Sequence, residues 1–139
     1  MILELSFFLT SKLAHVMENT IRSLDDSFKY FDALYKNTVE NCILLMDEEG
    51  ITLSVNKAFE NCFGDKQKEV VGKHLSIFFT EEDVKKGKPH SEVKNVLARG
   101  QSSDNNYLVR KDKSITWVSG ESVLVIKTCC SICLVMRTI

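Results

Sequence analysis

Three cysteines near the end of the chain have a spacing that suits metal binding or thiol–disulfide exchange. Cys129, Cys130 and Cys133 include a C-x-x-C pair, and thiolates serve both as zinc ligands and as redox partners. A structural zinc site needs four ligands and the chain contains no second pair, although two chains together would supply enough thiols. We therefore favour a thiol-rich turn between two strands, with no metal site.

Cysteine number and spacing also indicate the compartment. The chain has 5 cysteines, an odd number, and Cys42 and Cys62 lie far from the other three. This pattern lacks the spacing of a disulfide-stapled secreted domain, so we expect a reducing compartment and a cytoplasmic location.

Histidine is the other side chain with chemistry near neutral pH. His15, His74 and His90 are dispersed along the chain. Neither a nucleophile–base arrangement nor a phosphate-binding glycine-rich loop accompanies them. We therefore predict that the chain is not an enzyme.

Size and charge exclude several classes of partner. The chain has 139 residues, of which 44% are hydrophobic, and a net charge of −1. This is enough for one domain with one core, and the balanced charge argues against nucleic-acid binding. The apolar stretch at residues 1–17 is interrupted by Glu4 and Lys12 and is too short to span a bilayer, so we expect no direct membrane insertion.

Residues 1–36 contain neither glycine nor proline and are predicted to form one amphipathic helix. Apolar residues recur with the alternating spacing of three and four that forms a helix-pairing seam. We predict a homodimer through this seam; the alternative is a helix that packs on its own sheet. The predicted interface residues are Met17, Ile21, Leu24, Phe28 and Phe31.

Residues 43–64 predict a strand, a tight turn, a second strand and a helix. Residues 43–46 form an apolar run, and Asp47 to Gly50 supply turn chemistry. Asn56 suits the N-cap of the following helix because its side-chain oxygen can accept a backbone hydrogen bond. Gly64 ends that helix.

This pattern resembles the opening of a PAS domain, a small sensory module of signalling proteins. The motif residues are Asp47, Gly50, Asn56, Ala58, Phe59, Phe63 and Gly64, and the likeness continues through Val70 to Lys73, Thr80 to Asp83, and Val109 to Val118. The resemblance covers residues 28–139, with residues 1–36 as a helical extension and residues 37–139 as the PAS domain. One departure from the family is Lys113 after Asp112, where relatives usually have glycine, so we expect a different turn there.

The later elements complete an α+β fold. We predict a short helix at residues 65–71, a capping box that starts at Thr80, and a helix from Pro89 to Gly100 whose Glu92 face is solvated. Strands are predicted at residues 106–111, 115–126 and 131–138. Together these give a five-stranded antiparallel sheet with helices on one face, plus the N-terminal helix.

The resemblance implies a ligand pocket between the inner sheet face and the helices. In the last long hairpin, we assign Val118, Gly120 and Ser122 inward because the alternative face would bury Glu121. Gly120 and Ser122 are small and leave space, while Trp117 and Val123 face outward. The predicted ligand-binding residues are Leu75, Phe78, His90, Val93, Leu97, Val118, Gly120 and Ser122.

No cofactor is favoured. Haem-binding relatives place an axial histidine on the helix that begins near His90, so haem is an alternative in which His90 is the ligand. The other interpretation is a histidine of the first helical turn that is exposed to solvent. Flavin photochemistry through a reactive cysteine is not expected. Light-sensing relatives have their flavin-reactive cysteine at the position that Leu75 occupies in this chain.

The resemblance therefore predicts a sensory or regulatory module in signal transduction. It would bind a small ligand in its core and pass the signal through dimer and terminal contacts to an output domain such as a histidine kinase. The alternative is a ligand-free module for dimerisation and protein–protein interaction. A sensor should enclose a cavity, whereas an interaction module should be packed solid inside and apolar outside.

Overall fold

The computed structural model describes residues 2–126 and 131–138. The chain forms two compact units, one that ends at Tyr35 and one that begins at Lys36. The first consists of helix α1, which spans Ile2–Asn37 and so runs slightly beyond the boundary. Among the described residues, none of the helices has the length and apolar character that crossing a membrane requires.

The second unit is built on a five-stranded antiparallel sheet. Its strands are β1 (Cys42–Met46), β2 (Thr52–Val55), β3 (Gln101–Val109), β4 (Ile115–Ile126) and β5 (Ser131–Thr138). Their order across the sheet is β2-β1-β5-β4-β3. The predicted fold class is confirmed, and β5 lies in the centre because it pairs with both β1 and β4.

Short helices fill the connection between β2 and β3. They are α2 (Lys57–Phe63), α3 (Gln67–Val70), a 3₁₀ helix (Leu75–Phe78), α4 (Glu81–Lys85) and α5 (Lys88–Arg99). The predicted caps form: Thr80 Oγ1 accepts from the Asp83 N–H at 3.3 Å, and Gly64 ends α2 in the left-handed region at φ 85°. These caps satisfy end groups that a helix cannot pair internally.

One core lies between the helices and the inner sheet face. Phe59 and Phe63 of α2 stack with ring centroids 4.5 Å apart, and Phe78 meets Phe59 edge-on at 5.1 Å. The strands contribute alternate residues, such as Leu44 and Met46 of β1, because successive side chains point to opposite faces. The outer face of the sheet also has apolar residues, including Trp117 and Val123.

The predicted start of β3 was wrong. The strand was predicted at residues 106–111, yet β3 begins at Gln101 and ends at Val109. The early part of β3 pairs with β4, with Gln101 opposite Val123 and Asn105 opposite Ser119. Backbone pairing with a long neighbouring strand outweighs the weak local preference of these polar residues.

The turn after β3 has Lys113 at the position where relatives usually have glycine, and a turn type different from theirs stays a prediction. Lys113 has φ 70°, in the left-handed region that glycine adopts more readily. The turn is closed by the Arg110 N–H, which donates to the Ser114 carbonyl at 2.8 Å, and by Asp112 Oδ1, which accepts from the Ser114 N–H at 2.9 Å.

The turn between β1 and β2 requires glycine at Gly50. Asp47 Oδ1 accepts from the N–H groups of Glu49 and Ile51, both at 2.9 Å, and Gly50 has φ 83°. A Cβ added at Gly50 would lie 2.6 Å from Leu75 Cδ2 and 2.9 Å from His74 Nε2. Gly50 therefore allows both the tight turn and the close approach of His74 and Leu75 to that turn.

We predict that Gly50→Ala destabilises the domain more than Gly72→Ala. Both positions have φ 83°, so each alanine incurs about 1–2 kcal/mol of left-handed strain. Only at Gly50 does the new methyl group clash, which adds about 1–3 kcal/mol, since nothing lies within 4 Å at Gly72. Urea denaturation of both variants measures the difference, and equal losses would contradict this account of the turn.

Candidate ligand-binding site

A small cavity lies between the inner sheet face and the helices. Its volume is about 20 Å³, which is room for a water molecule. Its walls are mostly apolar: Leu44, Leu75, Phe78, Phe79, Leu108, Val118, Leu134 and Met136. Its polar side chains are Glu92, Asp104, Asn106 and Ser122, with Gly120 beside them.

Five of the predicted ligand-binding residues line this cavity. They are Leu75 and Phe78 of the 3₁₀ helix, and Val118, Gly120 and Ser122 of β4. Val118 and Ser122 are buried while Trp117, Glu121 and Val123 are exposed, so the inward face of β4 is the one predicted. Whether these residues bind a ligand stays a prediction.

The three predicted residues of α5 do not line the cavity. Val93 is buried near Gly50, whereas His90 and Leu97 are exposed. The buried face of α5 consists of Pro89, Glu92, Val93 and Val96. His90 and Leu97 are seven residues apart and so share a different side of the helix, because seven residues make about two turns.

The sequence-based placement of Glu92 on a solvated face was wrong. Glu92 is 9% exposed and lies one turn before Val96, which is fully buried. Its position on the apolar stripe of α5 was the signal that could have identified it. Asn106 and Asp104 were missed because they belong to the part of β3 that was expected to be a loop or a strand end.

Glu92 and Asn106 form a buried polar pair. Asn106 Nδ2 donates to Glu92 Oε1 at 2.7 Å. Asn106 is 7% exposed, and its Oδ1 accepts no hydrogen bond. An unpaired buried acceptor costs about 1–3 kcal/mol, so a site with such a group favours an occupant that can donate to it.

Burial raises the pKa of Glu92 to about 7, since desolvation disfavours the charged carboxylate. The negative charges of Asp104 and Asp83 act in the same direction. The hydrogen bond from Asn106 and the positive charge of Lys88 oppose this rise. Glu92 therefore changes its charge close to neutral pH, next to the cavity.

A second polar contact lies at the N-terminal end of α5. The rings of His74 and His90 are 4.7 Å apart between centroids, and His74 Nδ1 accepts from the Ser76 N–H at 3.1 Å. Burial lowers the pKa of His74, and so does the neighbouring His90, while the Glu49 carbonyl and Asp47 oppose the shift. His74 Nε2 is buried without a hydrogen-bond partner.

The thiol chemistry considered from the sequence involves a cysteine cluster that the structure describes only in part. Cys129 and Cys130 lie outside the described residues, while Cys42, Cys62 and Cys133 are free thiols. Burial raises the pKa of Cys42 to about 12 and also raises the pKa of Cys133, which keeps both in the unreactive protonated form. In residues 2–126 and 131–138, no cluster of three or more histidine, cysteine, aspartate or glutamate residues could hold a metal ion.

The fold and the site together define the class of protein. It is an α+β domain with a small cavity between an antiparallel sheet and its helices. The PAS domain family matches residues 40–129, well over half of the chain, and the chain belongs to this family. The family that the sequence resembles is therefore confirmed. As a PAS domain, it is a sensory module of the kind found in signalling proteins.

Individual relatives agree with this assignment. Two-component system protein A of Emericella nidulans is 27% identical over 69% of this chain, which spans only 15% of that protein. A domain of the sensory box sensor histidine kinase/response regulator from Geobacter sulfurreducens has a TM-score of 0.73 at 18% identity, with 82% of this chain and 96% of that chain covered.

A third neighbour is described with a bound molecule. It is the PAS domain, in complex with ethanol, of a transcriptional regulator in the LuxR family from Burkholderia thailandensis, with a TM-score of 0.64 at 12% identity. The similarity covers 79% of this chain and 96% of that chain.

Haem does not fit the space described here. Cofactor pockets have volumes of about 300–1,000 Å³, whereas this cavity has about 20 Å³. His90 is exposed and does not line it.

We predict that Glu92→Gln removes a pH dependence of stability. The folded state holds the Glu92 proton up to about pH 7, whereas the unfolded chain releases it near 4.5. The wild-type free energy of unfolding should therefore fall as pH rises from 4.5 to 7, by up to about 3 kcal/mol more than in the variant.

Urea denaturation at several pH values tests this prediction, with the exposed Glu48→Gln as a control that keeps the wild-type profile. Above pH 7, Glu92→Gln should be more stable than the wild type. Parallel pH profiles for the wild type and Glu92→Gln would show that Glu92 does not titrate in this range.

Proposed function

We propose that this chain is the sensory module of a two-component signalling protein and that a small ligand binds in its core cavity. The observation that supports this proposal is the cavity between the sheet and the helices, in which a buried polar pair interrupts apolar walls. Ligand sites commonly combine an apolar lining with a few placed polar groups. A structural neighbour that is a PAS domain in complex with ethanol supports the proposal of a small ligand.

The output domain is proposed to be a histidine kinase, which lies outside this chain. Two observations support this: one relative is a two-component system protein, and one structural neighbour belongs to a sensor histidine kinase/response regulator. The module itself has no catalytic role in this proposal. The free thiols of Cys42, Cys62 and Cys133 are consistent with a cytoplasmic location.

Helix α1 is proposed to form the dimer through which the signal passes. Met17, Ile21, Leu24, Phe28 and Phe31 are each more than half exposed, and they repeat along one side of the helix. Two such helices would bury their stripes against each other. Ligand binding alters signalling only if the ligand has different affinities for two states of this dimer.

A second candidate function is a ligand-free interaction module. The observation that favours it is the size of the cavity, about 20 Å³, which leaves no room for a drug-sized ligand in this packing. The exposed apolar stripe of α1 fits this candidate equally well. The two functions differ in whether any small molecule enters the core.

NMR titration of the full chain separates these two functions. Ethanol, methylammonium and acetate are suitable probes because each has four or fewer heavy atoms. For a sensor, at least one probe should shift backbone amide signals of β4 and of α5 around the cavity, with saturation. If none of the probes gives saturable shifts there, the ligand-free interaction module is the correct function.

We predict that Ile21→Glu and Phe28→Glu each weaken the dimer at least about tenfold, because each buries a charge in the apolar seam. Ser23→Glu, on the other side of α1, should leave the dimer intact. Sedimentation equilibrium of the full chain measures the association constant. A monomeric wild type, or equal dimerisation of all three variants, would refute the proposed α1 interface.

A further inference from the structure

The core cavity is rich in hydrogen-bond acceptors. The carboxyl groups of Glu92 and Asp104, the Asn106 Oδ1 and the Ser122 hydroxyl all belong to residues that line it. Asp104 Oδ2 also accepts from the Ser102 hydroxyl at 3.0 Å. Among the described residues of this lining there is no lysine or arginine. Such a lining selects for a ligand that donates hydrogen bonds and against one that is negatively charged.

Asn106 provides independent evidence for an occupant. One end of its amide is held by Glu92 at 2.7 Å, while the Oδ1 at the other end has no partner. Because more than nine-tenths of Asn106 is buried, bulk water does not readily satisfy this oxygen. A donor within the cavity would remove the cost of leaving it unpaired.

Charge decides between a neutral and a cationic donor. The negative charges of Asp104 and of Asp83 in α4 both raise the pKa of the buried Glu92. The positive charge of Lys88 lowers it. A buried carboxylate is stabilised by a cation at contact distance much more than by a neutral donor. Above the pKa of Glu92, about 7, the site therefore favours a positively charged occupant.

Size limits this occupant. The cavity has about 20 Å³, and a water-sized group needs at least about 10–15 Å³ on this measure. An ammonium ion is about the size of a water molecule, and methylammonium adds one methyl group, for which the apolar walls of Leu134 and Met136 are suitable neighbours.

The surface beside the cavity is also polar. A groove of about 520 Å³ runs along the C-terminal end of α5 and strands β3 and β4. Asp104 and Ser122 line both this groove and the cavity, so the two spaces are neighbours.

We propose that the cavity binds ammonium or a small primary amine, with Glu92 as the counter-ion and Asn106 Oδ1 as a hydrogen-bond acceptor. This inference rests on the proposed sensory function and gives the chemical class of its ligand. Asp104 and Ser122 complete the set of acceptors around the ammonium group.

Two variants test this proposal on the full chain. Glu92→Gln keeps the shape and the hydrogen bond to Asn106 but removes the negative charge. Gly120→Ala adds a methyl group that meets the Asp104 carbonyl oxygen and Leu134 Cδ1 at 3.4 Å and Met136 Cγ at 3.7 Å, which are ordinary contacts. This second variant should fold normally and fill part of the cavity.

The measurement is an NMR titration at pH 8 with methylammonium chloride, with methanol and sodium formate as matched probes and sodium chloride as the salt control. Methylammonium should bind the wild type more tightly than methanol does. Its affinity should fall about tenfold or more in Glu92→Gln and be lost in Gly120→Ala, and formate should not bind.

The outcomes separate the two proposals. Equal methylammonium affinity in the wild type and Glu92→Gln would overturn the amine assignment. Methanol or formate binding that is lost in Gly120→Ala, without methylammonium binding, would overturn it as well but leave the core-ligand function standing. If none of the three probes binds, the amine proposal fails.

Discussion

The buried side chain of Asn56 ties together the parts of the fold on which the cavity depends. Its Oδ1 accepts from the N–H groups of Phe59 and Ile43, at 3.0 and 2.9 Å, and its Nδ2 donates to the Asn41 carbonyl at 3.0 Å. One amide thus caps α2 and fastens it to the start of β1. The aromatic rings of α2 are thereby held over the sheet, against Phe78 in the cavity wall. Because Asn56 is 2% exposed, loss of any of these bonds would leave a buried polar group unpaired.

The core between the sheet and the helices combines two kinds of packing. The aromatic and aliphatic side chains close almost all of the space between sheet and helices, as expected for a protein interior. Near Glu92 and Asn106 the packing is incomplete, and the polar groups there are incompletely satisfied. Such a site destabilises the empty domain, and a ligand that satisfies it recovers this free energy. Binding of such an occupant would stabilise the folded domain by mass action.

Local patterns in the sequence predicted the elements whose shape is set by near neighbours. The N-cap at Asn56, the cap at Thr80 and the helix end at Gly64 follow from side chains that act within one turn. The inward face of β4 followed from the cost of burying Glu121. The start of β3 and the burial of Glu92 depend instead on pairing with β4 and on the rotation of α5 about its axis. Those are long-range packing effects, so His90 and Leu97 were placed in the pocket while Asn106 was missed.

The central position of β5 has a consequence for how the domain forms during synthesis. β5 is the last strand in chain order, yet it separates β1 from β4 and pairs with both. Until β5 leaves the ribosome, β1 with β2 and β3 with β4 can form only two separate hairpins, each with an unpaired edge. Such edges favour association with other chains. Completion of the sheet therefore waits for the contact between residues most distant in sequence, which makes it a late and slow step.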